Sequence, residues 1–236
     1  QSWTFTSLWF DTSTIEKVVV NWGTVIGQSG SVAVTWPDSY TKLLLHGESL
    51  KDSSTNNYTL TANWWMSFTW TDKKFWTWSF YFDWVDDYIS VPDSEDWTLD
   101  WNFTIDMWVN IKYINSGYSA LLAFTEWTRL SLVVKGDWKI SVWDDIQYND
   151  STYIIPINGW HHVALIREWS NVKFYVDWIN KWGFTSTKTY NPTGLWIWND
   201  KNYFSPHKWY IDELRISKWI ARWTSDFSSS LPVVPY

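Results

Sequence analysis

At 236 residues the chain can hold one large sandwich domain or two small ones, and it has core enough to fold without covalent staples. It has no cysteine, which excludes disulfides and thiolate metal sites, and its net charge of −7, with acids and bases interspersed, argues against nucleic acid as a partner. No stretch approaches the length of a membrane span and no basic-then-apolar leader precedes the first strand, so membrane insertion is not expected.

Runs of β-branched and aromatic residues, broken by Asn, Asp, Ser and Gly, predict strands rather than helices. In chain order they are Ile15–Val20, Lys42–His46, Tyr58–Ala62, Tyr88–Val91, Asn102–Ile111, Ala120–Thr125, Arg129–Lys135, Lys139–Trp143, Trp160–Arg167, Val172–Asp177 and Trp209–Ser217. Short strands at this spacing indicate an all-β sandwich or barrel. One helical turn is expected over Lys218–Asp226, after the last strand. Residues 24–35 are small and polar, so 1–37 read as a linker or the edge of a preceding module. Residues 38–227 read as the domain and 228–236, with Pro232 and Pro235, as a second linker. With Gln1 at the start, the chain reads as a mature or excised unit of a longer protein, and neighbouring modules or further copies of itself are expected partners.

Nine segments carry a family resemblance: Leu43–His46, Lys51–Ser54, Ser79–Asp83, Asp87–Pro92, Phe103–Val109, Trp160–Arg167, Lys173–Asp177, Tyr210–Ser217 and Ala221–Phe227. Their ordered set resembles the concanavalin A-like lectin/glucanase superfamily, in the laminin-G-like form found in bacterial surface and phage tail-type proteins. The resemblance covers the chain from Leu43 onward and implies a two-sheet antiparallel jelly-roll sandwich of about a dozen strands. It implies a binding role toward a glycan or a surface protein, in an extracellular, cell-surface or virion setting. A fold of this kind hosts many functions, so the ligand is not named by it.

Tryptophan occurs 25 times and glycine only 9 times, against a usual glycine share of about 7%. Asn63-Trp64, Asp83-Trp84, Asp137-Trp138 and Asp177-Trp178 stand at strand ends, where tight hairpins favour Asn-Gly or Asp-Gly because the turn needs φ > 0. The family pattern has glycine at the positions of Trp76, Trp78, Trp84, Trp178, Trp198, Trp209 and Trp219, whereas Trp97, Trp108, Trp143, Trp160 and Trp223 fit it as tryptophan. Two readings are open. The gene belongs to a lineage that reads UGA as glycine, or the protein is a Trp-rich, sugar-stacking lectin; only the second makes the exposed rings evidence for sugar binding.

Chemistry-bearing patterns are few. A glycosidase needs two carboxylates about 5–9 Å apart, hence acids two or four residues apart on one strand. The Glu-x-Asp-x-Glu type run of the family's glucanases is missing. Asp86-Asp87, Asp144-Asp145 and Asp212-Glu213 are adjacent pairs, expected to point to opposite faces, and Asp83 and Asp87 flank a turn. The four histidines form no metal or nucleophile motif, and there is no Gly-x-Ser-x-Gly elbow. The expectation is therefore a non-catalytic recognition module, with a spacer or decoration domain as the alternative. The ligand candidates are Trp143, Asp144, Asp145, Tyr148 and Tyr153, where rings and carboxylates could converge in a loop region; an ordinary solvated hairpin is the competing reading. The resemblance further implies a structural calcium between the first and last domain strands, held by Glu48, Asp52 and Asp212. The alternative is that Asp52 caps a turn and Asp212 pairs with a base.

Overall fold

Phe103, Ile105, Met107 and Val109 alternate with Thr104, Asp106 and Trp108, and this run becomes the spine of the protein. The computed structural model describes residues 18–20, 24–27, 30–33, 37–63, 66–82, 87–114, 117–125, 129–197, 207–227 and 236. Among them the strands are β1 (Val18–Val20), β2 (Thr24–Gly27), β3 (Gly30–Ala33), β4 (Thr41–Leu45), β5 (Thr61–Asn63) and β6 (Ser67–Thr69). There follow β7 (Ser79–Phe82), β8 (Tyr88–Val91), β9 (Phe103–Ile114), β10 (Tyr118–Thr125), β11 (Ser131–Lys135) and β12 (Lys139–Trp143). The last six are β13 (Tyr148–Ile154), β14 (Trp160–Glu168), β15 (Asn171–Val176), β16 (Ile179–Thr185), β17 (Gly194–Ile197) and β18 (His207–Lys218).

Two antiparallel sheets face each other. One runs β13-β12-β11-β10-β17-β8-β5; the other runs β16-β15-β14-β9-β18-β7-β6, with β4 also paired to β18. The first half of β18 pairs with β7 and its second half with β4, while β9 lies along its other side. β1, β2 and β3 form a separate sheet. The expected strand Ile15–Val20 is described only from Val18.

Alternation places one set of side chains between the sheets. Phe103, Ile105, Met107, Val109, Val163, Leu165, Ile211 and Ile216 meet Leu122, Phe124, Leu132, Val134, Ile140, Val142, Leu195 and Ile197 in one cluster, all nearly sealed from solvent. The opposite face of the eight-stranded sheet is also covered. There Asp106 and Arg215 form a two-pronged ion pair at 3.0 and 3.1 Å, with His162 Nε2 3.4 Å from the carboxylate. Trp178, Trp223 and Phe227 pack over His162, and Tyr236 lays its ring 3.7 Å from the Arg215 guanidinium. Burial would raise the Asp106 carboxyl, but Arg215 and then His162 hold it well below the ordinary range.

Among the described residues four tryptophans have φ > 0: Trp138 (66°), Trp169 (57°), Trp178 (71°) and Trp219 (68°). Asp177 and Trp178 are both positive, the requirement of a two-residue type I′ turn between β15 and β16. Trp84 and Trp198 lie outside the described residues. Trp209 departs from the glycine pattern in this fold: it sits in β18 opposite Phe82 and Ile111 and fills the core, with no exposed surface.

Two further expectations need correction. No helix forms over Lys218–Asp226. Lys218 ends β18, Trp219 turns the chain at positive φ, and Arg222 is tied back to Asp38 and Thr41, so the segment crosses the sheet as successive bends. Asp212 and Glu213 do not point to opposite faces either. The register of β18 slips between Asp212 and Arg215, with Glu213 at φ 50°, and this bulge turns both carboxyls toward the segment 74–76.

Candidate functional site

The hairpin of β12 and β13 carries the five ligand candidates, and it divides them. Trp143 and Tyr148 are cross-strand partners with ring centroids 4.8 Å apart. Tyr148 in turn stacks on Tyr118 of β10 at 4.5 Å, with the rings 16° from parallel. The three rings form a row on the outward face of the seven-stranded sheet. Small residues beneath them, Ala120, Ala123 and Val133, are buried with Tyr118 and Tyr148 packed against them. Tyr118 was missed in the sequence because only the β10–β11–β12–β13 pairing brings it beside the hairpin.

The acids do not join that row. Asp144 is buried in the turn, accepts from the N–H groups of Ile146 and Gln147, and pairs with Lys188 at 3.3 Å. Burial would raise its carboxyl, but those bonds hold it below the ordinary value. Asp145, at φ 76°, accepts from the Arg129 N–H. Tyr153 packs against the interior cluster, with Lys181 4.9 Å from its ring. The polar partners of the row are others. Lys135 and Asp150 pair at 2.7 Å beside Tyr118, and Ser141 donates to the same carboxylate at 2.7 Å. Farther along the same outward face Tyr88 and Trp196 pack at 4.7 Å, opposite in pleat to the core residues Ile89, Leu195 and Ile197.

The three metal candidates are also dispersed. Asp52 accepts from the N–H groups of Leu44, Ser54 and Tyr58 and from the Ser54 hydroxyl, so its oxygens are committed to shaping a turn. Glu48 Oε1 takes the N–H groups of Thr77 and Trp78 at 2.7 and 2.8 Å. Asp212 Oδ2 takes those of Lys74 and Phe75, while its buried Oδ1 has no hydrogen-bond partner. Burial pushes the Asp212 carboxyl up to about 7, and neighbouring Glu213 adds to the effect. Gly47, at φ 80°, leaves room there: a Cβ would meet Ser79 Cα at 3.1 Å and Asp212 Oδ1 at 3.3 Å. Among the described residues no group of three His, Asp or Glu side chains converges to hold a metal ion. Asp52 is thus set apart in its own turn, while Glu48 and Asp212 clamp the segment 74–78 from either side.

Beside that clamp is a cavity of about 270 Å³ lined by His46, Glu48, Ser49, Lys51, Ser53 and Trp76. His46 Nδ1 and Trp76 Nε1 both meet Glu213 Oε1, at 3.0 and 2.9 Å, which fixes both rings. Its wall depends on Trp76, one of the positions where the family pattern has glycine, so it carries less weight than the tyrosine row. Of the acids considered for hydrolysis, Asp83 and Asp86 lie outside the described residues.

A laminin-G family profile described as the concanavalin A-like lectin/glucanases superfamily matches residues 83–220, more than half of the chain. A comparison with curated proteins found no match. Among solved structures, the binding domain of botulinum neurotoxin serotype G is similar, with a TM-score of 0.61 and 16% identity over 79% of this chain and 49% of that one. The binding domain of Paraclostridial Mosquitocidal Protein 1 gives 0.62 and 15% identity over 76% and 49%. A botulinum neurotoxin type C structure, described through the dependence of that toxin's cell entry on two ganglioside molecules, gives 0.61 and 12% over 75% and 47%. The chain spans about half the length of these structures, and at such identities the likeness is one of fold.

Proposed function

Since the chain belongs to the concanavalin A-like lectin/glucanases superfamily, we propose that it is a non-catalytic recognition module that binds glycan on the outward face of its seven-stranded sheet. The observation that carries the reading is the Tyr118–Tyr148–Trp143 row, with the Lys135–Asp150 pair beside it. Flat rings offer an apolar platform to a sugar face, and the adjacent ion pair and Ser141 offer donors and acceptors to its hydroxyls. The adjacent acids of the hairpin already accept from backbone donors, Asp144 within its own turn and Asp145 from the Arg129 N–H, which favours recognition over hydrolysis. Similar solved structures are toxin binding domains, one described through cell entry that depends on two ganglioside molecules, which supports a glycan partner met outside the cell. Among the described residues no helix is long and apolar enough to cross a membrane.

A glycan array probed with the full chain tests the reading. A hit should weaken at least tenfold, about 1.4 kcal/mol, on Tyr148→Ala and on Tyr118→Ala. Binding that ignores both substitutions removes the row as the site. An array without hits favours a spacer or a protein partner, and reducing-sugar release would make the chain an enzyme.

A further inference from the structure

We infer that Trp138, Trp169, Trp178 and Trp219 are glycines in the protein as its own organism makes it, encoded by UGA and rendered as tryptophan only under the standard code. The composition raises the question, with 25 tryptophans against 9 glycines. Backbone conformation answers it at these four positions. Nine described non-glycine residues have φ > 0: the four tryptophans, two Asn, two Asp and Glu213. Asn and Asp tolerate the left-handed region, and Glu213 sits in a strand bulge; a bulky aromatic residue there is a steric outlier.

Each of the four also occupies the glycine slot of a different turn. Trp138 is the third residue of the loop 136–138 between β11 and β12, where a three-residue hairpin places its left-handed residue, and its N–H reaches back to Lys135 O at 2.8 Å. Trp169 is the first of two loop residues between β14 and β15, the glycine position of a type II′ turn. Trp178 is the second of two between β15 and β16, the glycine of an Asp-Gly type I′ turn. Trp219 turns the chain directly after β18, where a left-handed residue ends the strand.

The side chains make contacts, but none that calls for a left-handed backbone: Trp138 packs against the interior cluster and Trp219 lies 4.8 Å from the Lys42 ammonium. Trp169 and Trp219 are 66% and 52% exposed. Trp178 is half-buried, its ring lying over His162. A sugar-stacking lectin would gather its rings on one surface. Trp169 and Trp178 instead sit at opposite ends of β15, about 20 Å apart at strand rise, so no single platform holds both. Tryptophans with a structural reason look different. Trp97 is fully buried and donates to Pro92 O at 2.8 Å, and Trp108 is 3% exposed between Phe75 and His162; neither has φ > 0.

The inference stands apart from the proposed glycan site, because none of the four rings belongs to the Tyr118–Tyr148–Trp143 row. The gene's codons and the peptide masses of the protein purified from its own organism test it together. The expected result is UGA at all four codons and glycine in the peptides that span them, with UGG and tryptophan at Trp97 and Trp108. UGG at any of the four, or a tryptophan mass in any of the four peptides, overturns it. Glycine at Trp97 or Trp108 would equally overturn the use of backbone conformation to separate the two kinds of position.

Discussion

Replacing Trp169 by glycine and, separately, by alanine isolates the cost of a left-handed residue that carries a Cβ. The position suits the comparison because little else changes. Its ring is 66% exposed and meets only Trp101 among the ring contacts described, edge-on at 6.1 Å, so both substitutions lose the same small contact. Its local hydrogen bonds belong to the backbone: the N–H donates to Asn102 Oδ1 and the C=O accepts from Arg167 Nε, both at 2.7 Å. At φ 57° a Cβ costs about 1–2 kcal/mol, and the greater unfolded freedom of glycine returns about 0.5–1 kcal/mol of that. Glycine should therefore be more stable than alanine by about 0.5–1 kcal/mol, or about 1–4 °C in melting temperature for a chain of this size. Calorimetry or urea unfolding of the two variants side by side reads the difference. Equal midpoints, or an alanine variant that melts higher, would refute the assignment of strain to this turn.

Three other outcomes follow from the charged groups. Asp106→Ala strands the Arg215 guanidinium in a sealed site and should cost roughly 3–5 kcal/mol, about 10 °C in melting temperature, whereas Lys139→Ala, in an exposed pair with Asp137, should change it by under about 1 kcal/mol. Asp212 holds its proton to about pH 7 when folded and to its ordinary value when unfolded, so the folded state binds more protons between them; stability should fall as pH rises from about 4 to about 7 and level off above. The shift is worth about 4 kcal/mol as an order of magnitude, and Asp212→Asn should flatten denaturant midpoints measured between pH 4.5 and 8; an unchanged slope would clear Asp212 of the effect. Because Glu48, Asp52 and Asp212 already serve backbone donors, melting curves in millimolar calcium and in EDTA should superimpose, and a calcium-dependent rise would return the metal to that region.

The strands that alternate on a buried face were legible in the sequence. The expected strands Asn102–Ile111, Trp160–Arg167 and Val172–Asp177 correspond to β9, β14 and β15 at the heart of the eight-stranded sheet, with Asp177 passing into the turn after β15. Those at the margins of the two sheets were not. β13 is the polar run Tyr148–Ile154 on a sheet edge, where one side of the ladder is open and apolar alternation is not demanded. β16 is an edge strand interrupted by Gly183, whose Cβ would meet Val172 O at 2.6 Å. The hairpin at Trp143 was found for its residue types, but a linear reading could not see that Asp144 would be spent on its own turn and Asp145 on the Arg129 N–H. Nor could it see that Tyr118, some 30 positions from Tyr148, would complete the row, because that contact is made by three successive strand pairings. The Asp212–Glu213 pair escaped for a different reason: a bulge breaks the period of two on which the opposite-face argument rests.

The placement of β18 has a consequence for how the protein is born. The last strand of the sandwich is flanked on one side by β9 and on the other by both β7 and β4, so partners as remote as Leu43 and Ile216 must find one another. Until residues 207–218 leave the ribosome, the eight-stranded sheet is split into three unjoined pieces, β16-β15-β14-β9, β7-β6 and β4 alone, with open edges and uncovered apolar faces. The sheet should thus close only once β18 is available, and slowly for the chain length, as non-local pairing dictates. Ribosomes stalled before that strand should display a protease-sensitive, chaperone-bound chain, and protection should arrive in a single step once β18 emerges.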